Sequence, residues 1–337
     1  MERKRVPLGN YITEYSVRNR SGEDIPVYSV TNSQGFCTEY FDKEVASKDK
    51  TTYKIVPRGY FAYNPSRINV GSVDWQRCEG RVIVSPLYNV FSVSEKMEQQ
   101  YLFYFLKSNV GRQMIKAKAS GSVRDNLKMD MLKEMTIPER TIEEQKKCVA
   151  TLDALKTIIS LWEKELEKLD ELIKARFVEM FGTLDNPSQE FAKATLKELC
   201  NKITDGKHGG CKAEEGTERY FVGAREIYDD EVHYNTAPEI NIDEFEKDYK
   251  RCNIEIGDFL IVNTGATIGK SAIATDERTE HTLLQKSVAL LKVKKEVLNP
   301  VFLKWCYRVN TQMYIVKSAS AQPNLLLSKI NATVIYV

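Results

Sequence analysis

Between Thr141 and Phe181 the apolar residues recur at Cys148, Leu152, Leu155, Ile159, Trp162, Leu166, Leu169 and Ile173. This four-three alternation, with Glu and Lys filling the intervening positions, is the pattern of a coiled-coil seam. Nothing inside the stretch breaks a helix. Thr141 is placed to cap the first turn while Glu144 reaches back to it, and Gly182 follows as a left-handed stop. The pattern therefore predicts one unbroken helix, roughly 60 Å long at 1.5 Å per residue, with the shape of a spacer. The competing reading is a helix laid across a single large core, which would carry a wider apolar face than this narrow stripe.

On either side of that helix the hydrophobic pattern changes to short strand-like runs bounded by turn residues, and these runs repeat. YKIVPRGYFAYNPSRINVGSV (53 to 73) lines up with RCNIEIGDFLIVNTGATIGKSA (251 to 272), setting Gly59 over Gly257 and Gly71 over Gly269, both 198 residues apart. RVIVSPLYNVFSV (81 to 93) matches HTLLQKSVALLKV (281 to 293) at a spacing of 200. An aromatic helix follows in each copy, YLFYFLKS and VFLKWCYR, and is expected to pack the core. KASGSVRDNL (118 to 127) then pairs with SASAQPNL (318 to 325), bringing Asn126 over Asn324, and MTIPE (135 to 139) pairs with TVIYV (333 to 337). Repetition at a fixed spacing sets the architecture before any motif does. The expectation is a mixed α/β protein made of two similar domains, 1–140 and 186–337, joined by a helical spacer, 141–185.

Composition supports two cores, since 337 residues with 42% hydrophobic content exceed one average domain. No apolar run approaches a membrane span and no hydrophobic signal segment follows the polar start, so a soluble cytoplasmic protein is expected. The seven cysteines are scattered without a CxxC, which gives a disulfide framework or zinc site little support. The three histidines lie too far apart for metal-ligand spacing. Residues 1 to 140 carry 22 Lys+Arg against 16 Asp+Glu, a net +6, the spacer carries 7 against 10, and the remainder 20 against 21. A basic first domain permits a polyanion partner without requiring one.

The run IPERTIEEQKKCVATLDALKTIISLWEKELEKLDEL closely resembles the helical spacer of the specificity subunits of type I restriction-modification systems. FAYNPSRINVGSV in the first copy, ITDGKHGG and FLIVNTGATIGKSAI in the second, and the Asn-Leu after each small-residue loop resemble that family's target-recognition landmarks. Each motif alone is weak; their order, doubled around the spacer, is specific. The resemblance implies two target-recognition domains on long helices and a subunit that dictates DNA sequence. Adenine methylation and ATP-driven restriction would belong to separate subunits. It also implies that two such spacers pair antiparallel. Because the chain's second copy ends at Val337, directly after TVIYV, the lone helix is expected to expose Leu152, Leu155, Ile159, Trp162, Leu166, Leu169 and Ile173 and to seek a partner or a second copy.

The loops carry the side chains that such a role needs. Asn64, Ser66, Arg67 and Asn69 place amide, hydroxyl and guanidinium groups on one short loop, suited to base and phosphate contacts. Lys118, Ser120, Arg124 and Asn126 form a second basic stretch, matched by Lys317, Gln322 and Asn324. In the second copy Lys207 and His208 sit among glycines that permit close backbone approach, and Asn263, Thr264 and Lys270 occupy the loop matching Asn64 to Ser72. A polar surface turn is the plain alternative for each loop taken singly.

Catalytic readings fail on spacing. GATIGKS (265 to 271) encloses three residues between its glycines where a phosphate-binding loop needs four. NPSR (64 to 67) lacks the second proline and the aromatic of an adenine-methyltransferase motif. Pro238-Glu239 with Asp248 and Lys250 is a loose nuclease pattern inside an acidic stretch that reads as a solvated helix face. The expectation is a non-catalytic, cofactor-free and metal-free DNA-recognition subunit reading a bipartite target. The alternatives are a stand-alone endonuclease-methyltransferase, which would need a cofactor motif, and a coiled-coil adaptor, which would show no salt-dependent DNA affinity.

Overall fold

The computed structural model describes residues 3–38, 49–119, 126–310 and 324–337. The chain divides into two compact units, Met1–Glu163 and Lys164–Val337. The division falls inside the long helix, so each unit includes its own end of it.

In the first unit β1 (Arg5–Pro7) and β2 (Ile12–Glu14) precede the hairpin β3 (Ser29–Thr31) and β4 (Gly35–Cys37). Then come β5 (Lys54–Pro57), β6 (Phe61–Tyr63), β7 (Val73–Trp75), β8 (Arg81–Val84) and β9 (Asn89–Val93). Helices α1 (Gln99–Lys107), α2 (Asn109–Ala119) and α3 (Met129–Lys133), strand β10 (Thr136–Pro138) and the long helix α4 (Ile142–Phe181) follow. The central sheet has the antiparallel order β2-β9-β6-β7. Its inner face puts Ile12, Phe61, Tyr63 and Phe91 against Leu102 and Leu106 of α1, all buried in one cluster. Each such apolar side chain removed from water contributes about 1.5 to 3 kcal/mol.

The second unit begins, after α4, with β11 (Lys193–Thr195), α5 (Leu196–Leu199), β12 (Cys200–Asp205), β13 (Tyr220–Val222), and the hairpin β14 (Ile227–Tyr228) and β15 (Glu231–Val232). It continues through α6 (Ile242–Tyr249), β16 (Phe259–Val262), β17 (Ser271–Ile273), β18 (Thr282–Leu284), β19 (Val288–Val293), α7 (Pro300–Val309), α8 (Leu327–Ala332) and β20 (Val334–Tyr336). Its central sheet has the order β12-β19-β16-β17, the same as in the first unit. The closing pairs match too: Val6 stands opposite Ile137, and Ala194 opposite Ile335. The parallel pairing of β13 with β18 also has a counterpart, the parallel bridge from Val27 to Ile83 of β8, while the antiparallel partner β5 of that strand is peculiar to the first unit among the described residues.

The repeat is thus structural, with one correction to the sequence alignment. Strand β19 follows β9 at 200 residues, but the aromatic helices match one residue later. Their N-caps are Glu98 and Asn299, and the buried pairs are Met97 with Leu298, Leu102 with Leu303 and Leu106 with Tyr307. A single inserted residue before α7 restores the buried face to the same side. These helices pack the cores through Leu102, Leu106, Leu303 and Tyr307, while Phe103, Tyr104, Phe105, Phe302 and Trp305 stay half-buried.

Both ends of α4 are built as its sequence predicts. Thr141 N donates to Glu144 Oε2 at 3.0 Å while Glu144 N donates to Thr141 Oγ1 at 3.3 Å. At the other end Gly182 adopts φ 73, and a Cβ there would lie 2.3 Å from the Asn186 carbonyl, so only glycine fits. Cys148 and Val149 pack against the first core and Phe177 against the second. From Thr151 to Arg176 every residue is exposed, including Trp162 at 63% and Leu166 at 66%. The helix does not cover a core along this stretch. Ile158, Leu161 and Leu172 are exposed as well, so the apolar surface is broader than the seam alone.

Candidate nucleic-acid interface

The loop between β6 and β7 is held by its own polar residues. Asn64 Oδ1 accepts from Ser66 N at 3.1 Å and from Ser66 Oγ at 2.9 Å, an Asx-type turn that presents Arg67 to solvent. Asn69, half-buried, accepts from Val70 N at 2.9 Å. Gly71 closes the loop at φ 100, where a Cβ would meet Asn32 Oδ1 at 2.2 Å. Asn64 and Arg67 line a cavity of about 440 Å³ together with Thr31, Asn32, Ser85 and Tyr88. The chain after α2 is tied to this loop. Leu127 is fully buried, and its N–H donates to the Pro65 carbonyl at 3.0 Å while its own carbonyl accepts from Tyr63 Oη at 3.0 Å. Asn126 is left exposed beside it.

The second unit repeats this arrangement 198 residues on. Leu325, 1% exposed, donates its N–H to the Asn263 carbonyl at 2.8 Å. Thr264 Oγ1 lies 3.4 Å from Asn324 Oδ1, and Asn324 is exposed. The Asn-Leu landmark therefore has two parts: leucine anchors the loop to the core, and asparagine stands at its surface. The loop Gly265 to Lys270 turns between two antiparallel strands, β16 and β17, rather than from a strand into a helix. A phosphate-binding loop is excluded by that topology as well as by spacing.

Several candidate residues have structural duties. Asn263 is 5% exposed, so its loop is presented through its neighbours. Lys207 pairs with Asp248 at 2.7 Å and Glu244 at 3.4 Å with its side chain 18% exposed, and the hydrogen bond to Asp248 raises its pKa further. The α6 face bearing those two carboxylates is thus an ion-pair partner as much as a solvated surface. Gly206 approaches the protein's own strand, since a Cβ there would lie 2.1 Å from the Leu284 carbonyl; Gly209 and Gly210 have open space around them. His208 is exposed, 3.5 Å from Asp205. Lys118 pairs with Glu134 at 2.6 Å. Lys270 is exposed on a cleft of about 380 Å³ shared with Asp170, Glu171 and Asp230. Ser120, Arg124, Lys317 and Gln322 lie outside the described residues.

One contact the sequence reading missed is made by the cation at the end of each aromatic helix. Lys107 Nζ reaches the Asn32 carbonyl at the β3–β4 hairpin tip, 3.0 Å away. Arg308, its counterpart under the corrected alignment, pairs with Asp230 at the β14–β15 tip at 2.9 Å and with Asp170 of α4 at 3.0 Å. Asp229 and Asp230 both adopt positive φ, the conformation of a tight two-residue hairpin turn.

Buried thiols are kept protonated: burial pushes Cys200 and Cys306 up to about 12 and Cys252 up to about 11. Among the described residues no group of His, Cys, Asp and Glu is arranged to hold a metal ion. No helix among them is long and apolar enough to cross a membrane.

One α/β fold used twice, each copy holding a polar loop set against its own sheet and both strung on one exposed helix, defines a two-domain recognition protein. Residues 8–171 match the family model described as the type I restriction modification DNA specificity domain. That match takes in most of the first unit and of α4, and the second unit repeats the sheet topology of the first. No curated protein matches it in sequence. Among solved structures, one described for complex assembly and conformational transition of the type I R-M system is 16% identical. It covers 98% of this chain and 85% of that one, with a TM-score of 0.56. Specificity subunits from M. genitalium and Thermoanaerobacter tengcongensis are each 15% identical, at TM-scores of 0.45 and 0.42. They cover 99% and 98% of this chain, and 84% and 83% of theirs respectively.

Proposed function

We propose that this chain is the DNA-reading subunit of a type I restriction-modification complex, each unit recognising one half of a split target. The observation that carries the reading is the doubled loop set: in both units a buried leucine, Leu127 or Leu325, ties a polar loop to the β6–β7 or β16–β17 turn by one main-chain hydrogen bond. A fold repeated with its loops in register, yet with different side chains on them, is suited to reading two different short sequences. Arg67, Asn69, Asn126, His208, Thr264, Lys270 and Asn324 are the described residues we assign to the DNA face. Base contacts would specify and phosphate contacts would position.

Methyl transfer and ATP-driven restriction belong, in this reading, to separate subunits. The exposed apolar surface of α4 offers them, or a second copy of the helix, a docking face; ten exposed seam and flanking residues are a poor surface to leave in water. The chain itself performs no chemistry. Incubation with labelled S-adenosylmethionine and genomic DNA gives background incorporation for the chain alone and adenine labelling once the modification subunit is added. Methylome sequencing of a host carrying both then reports a two-part target. Robust labelling by the lone chain refutes the assignment.

A further inference from the structure

The most exposed large hydrophobic side chain described in the molecule is not on the long helix. It is Leu87, at 78%. It stands at the tip of the turn joining β8 to β9, between Ser85 and Tyr88, which line the same 440 Å³ cavity as Asn64 and Arg67. The turn is rigidly held. Tyr88 N donates to the Ser85 carbonyl at 3.0 Å, Leu87 N lies 3.4 Å from Ser85 Oγ, and the buried Lys54 ammonium donates to the Tyr88 carbonyl at 2.6 Å. Asn89 continues the link, donating to Tyr63 Oη at 2.9 Å, which in turn holds Leu127.

The second unit supplies an internal control for what the fold requires here. Its turn has the same frame, with Val288 N donating to the Gln285 carbonyl at 2.9 Å. At the position of Leu87 it carries Ser287, whose hydroxyl is turned inward, accepting from Ala224 N at 3.2 Å and lying 3.1 Å from Gln285 Oε1. The fold is therefore served by a small polar residue, and an apolar side chain standing in water gives it nothing. What a rigid apolar tip beside an Asn/Arg-lined groove can recognise on a base-pair edge is the 5-methyl group of thymine, the apolar mark of the major groove.

We propose that Leu87 is a specificity-determining residue of the first unit and that the Ser85–Tyr88 turn reads a thymine methyl in one half-site. The inference rests on the DNA-reading function proposed above. The test uses the complex of the full chain with its modification subunits, bound to a duplex carrying the target that methylome sequencing defines. Each thymine is replaced in turn by uracil, which lacks only the methyl. The wild-type complex loses about fivefold in affinity at one position of one half-site, the worth of about one buried methyl-sized group. Leu87→Ser abolishes that sensitivity, Leu87→Met retains it, and neither alters the other half-site. Wild-type binding indifferent to uracil everywhere, or a uracil effect that survives in Leu87→Ser, overturns the role of Leu87 while leaving DNA recognition intact. A complex with no sequence preference at all overturns the function itself.

Discussion

The two units agree where the chain touches itself and differ where it faces outward. Sheet order, the closing strand pairs, the left-handed glycines Gly71 and Gly269, and the buried leucines Leu127 and Leu325 coincide. Arg67 against Gly265 and Leu87 against Ser287 do not. Packing tolerates few solutions at a buried position, whereas an exposed loop held by main-chain bonds accepts many side chains. A duplicated fold of this kind separates residues that make the frame from residues that use it, without any second protein for comparison.

The largest effect that sharpens this comparison comes from the frame itself. Leu127→Ala and Leu325→Ala each leave a cavity in a closed core and cost about 3 kcal/mol. The loss is confined to the unit that carries the change. Hydrogen exchange read by mass spectrometry, which resolves the two units in one experiment, shows protection falling in the β2-β9-β6-β7 sheet for the first variant and in the β12-β19-β16-β17 sheet for the second. Equal losses in both sheets from either change break the two-unit description.

Next in size are the anchors of the long helix. Gln145 is 1% exposed and fully used: its Nε2 donates to the carbonyls of Lys96 at 2.9 Å and Arg140 at 3.1 Å, and its Oε1 accepts from Glu98 N at 2.9 Å. In the second unit Asn310 plays the corresponding part, accepting from Leu184 N at 3.1 Å. Gln145→Ala removes the partner of three part-buried main-chain groups and costs about 2 kcal/mol; Asn310→Ala removes fewer and costs about 1. Urea unfolding of each variant measures the difference, and a larger loss for Asn310→Ala contradicts this accounting.

How much of this was legible in the sequence follows from which contacts are local. The helix, its cap at Thr141 and Glu144, its stop at Gly182 and the repeat depend on spacing along the chain, and spacing is visible. Lys207 reads as a free cation because Glu244 and Asp248, which neutralise it, come from a helix that only folding brings near. Asn263 reads as a loop residue because nothing local says that Leu325 will close over its carbonyl. The one-residue shift between α1 and α7 hides in a polar stretch where no pattern marks register. Leu87 escaped notice for another reason. A search for polar recognition groups passes over an apolar residue, whose meaning appears only when its exposure is known.

Half-site reading tests the outward-facing side of the comparison. Arg67→Ala weakens discrimination in one half of the target and Asn324→Ala in the other, each by about 1 to 3 kcal/mol, in binding measurements on duplexes altered in one half at a time. Arg67 lies on a loop whose shape is fixed by the Asn64 turn and by Gly71. Loss of the same size in both halves from a single substitution would mean that these residues serve phosphate attraction in general.

The smallest effect on folding belongs to the surface that neither core uses. Trp162 and Leu166 are 63% and 66% exposed, so Trp162→Glu combined with Leu166→Glu changes the stability of either unit by less than about 0.5 kcal/mol. A Glu at each site keeps helix propensity close to that of the residue it replaces. Association is where the change registers. A helix whose seam holds charges cannot bury it against another helix without leaving carboxylates unpaired. Light scattering at micromolar concentration, alone and with the modification subunit, shows the wild-type chain associating and the double variant failing to do so while its thermal unfolding is unchanged. A wild-type chain that stays monomeric in both settings removes the helix from the list of docking surfaces and leaves its exposed stripe without a function.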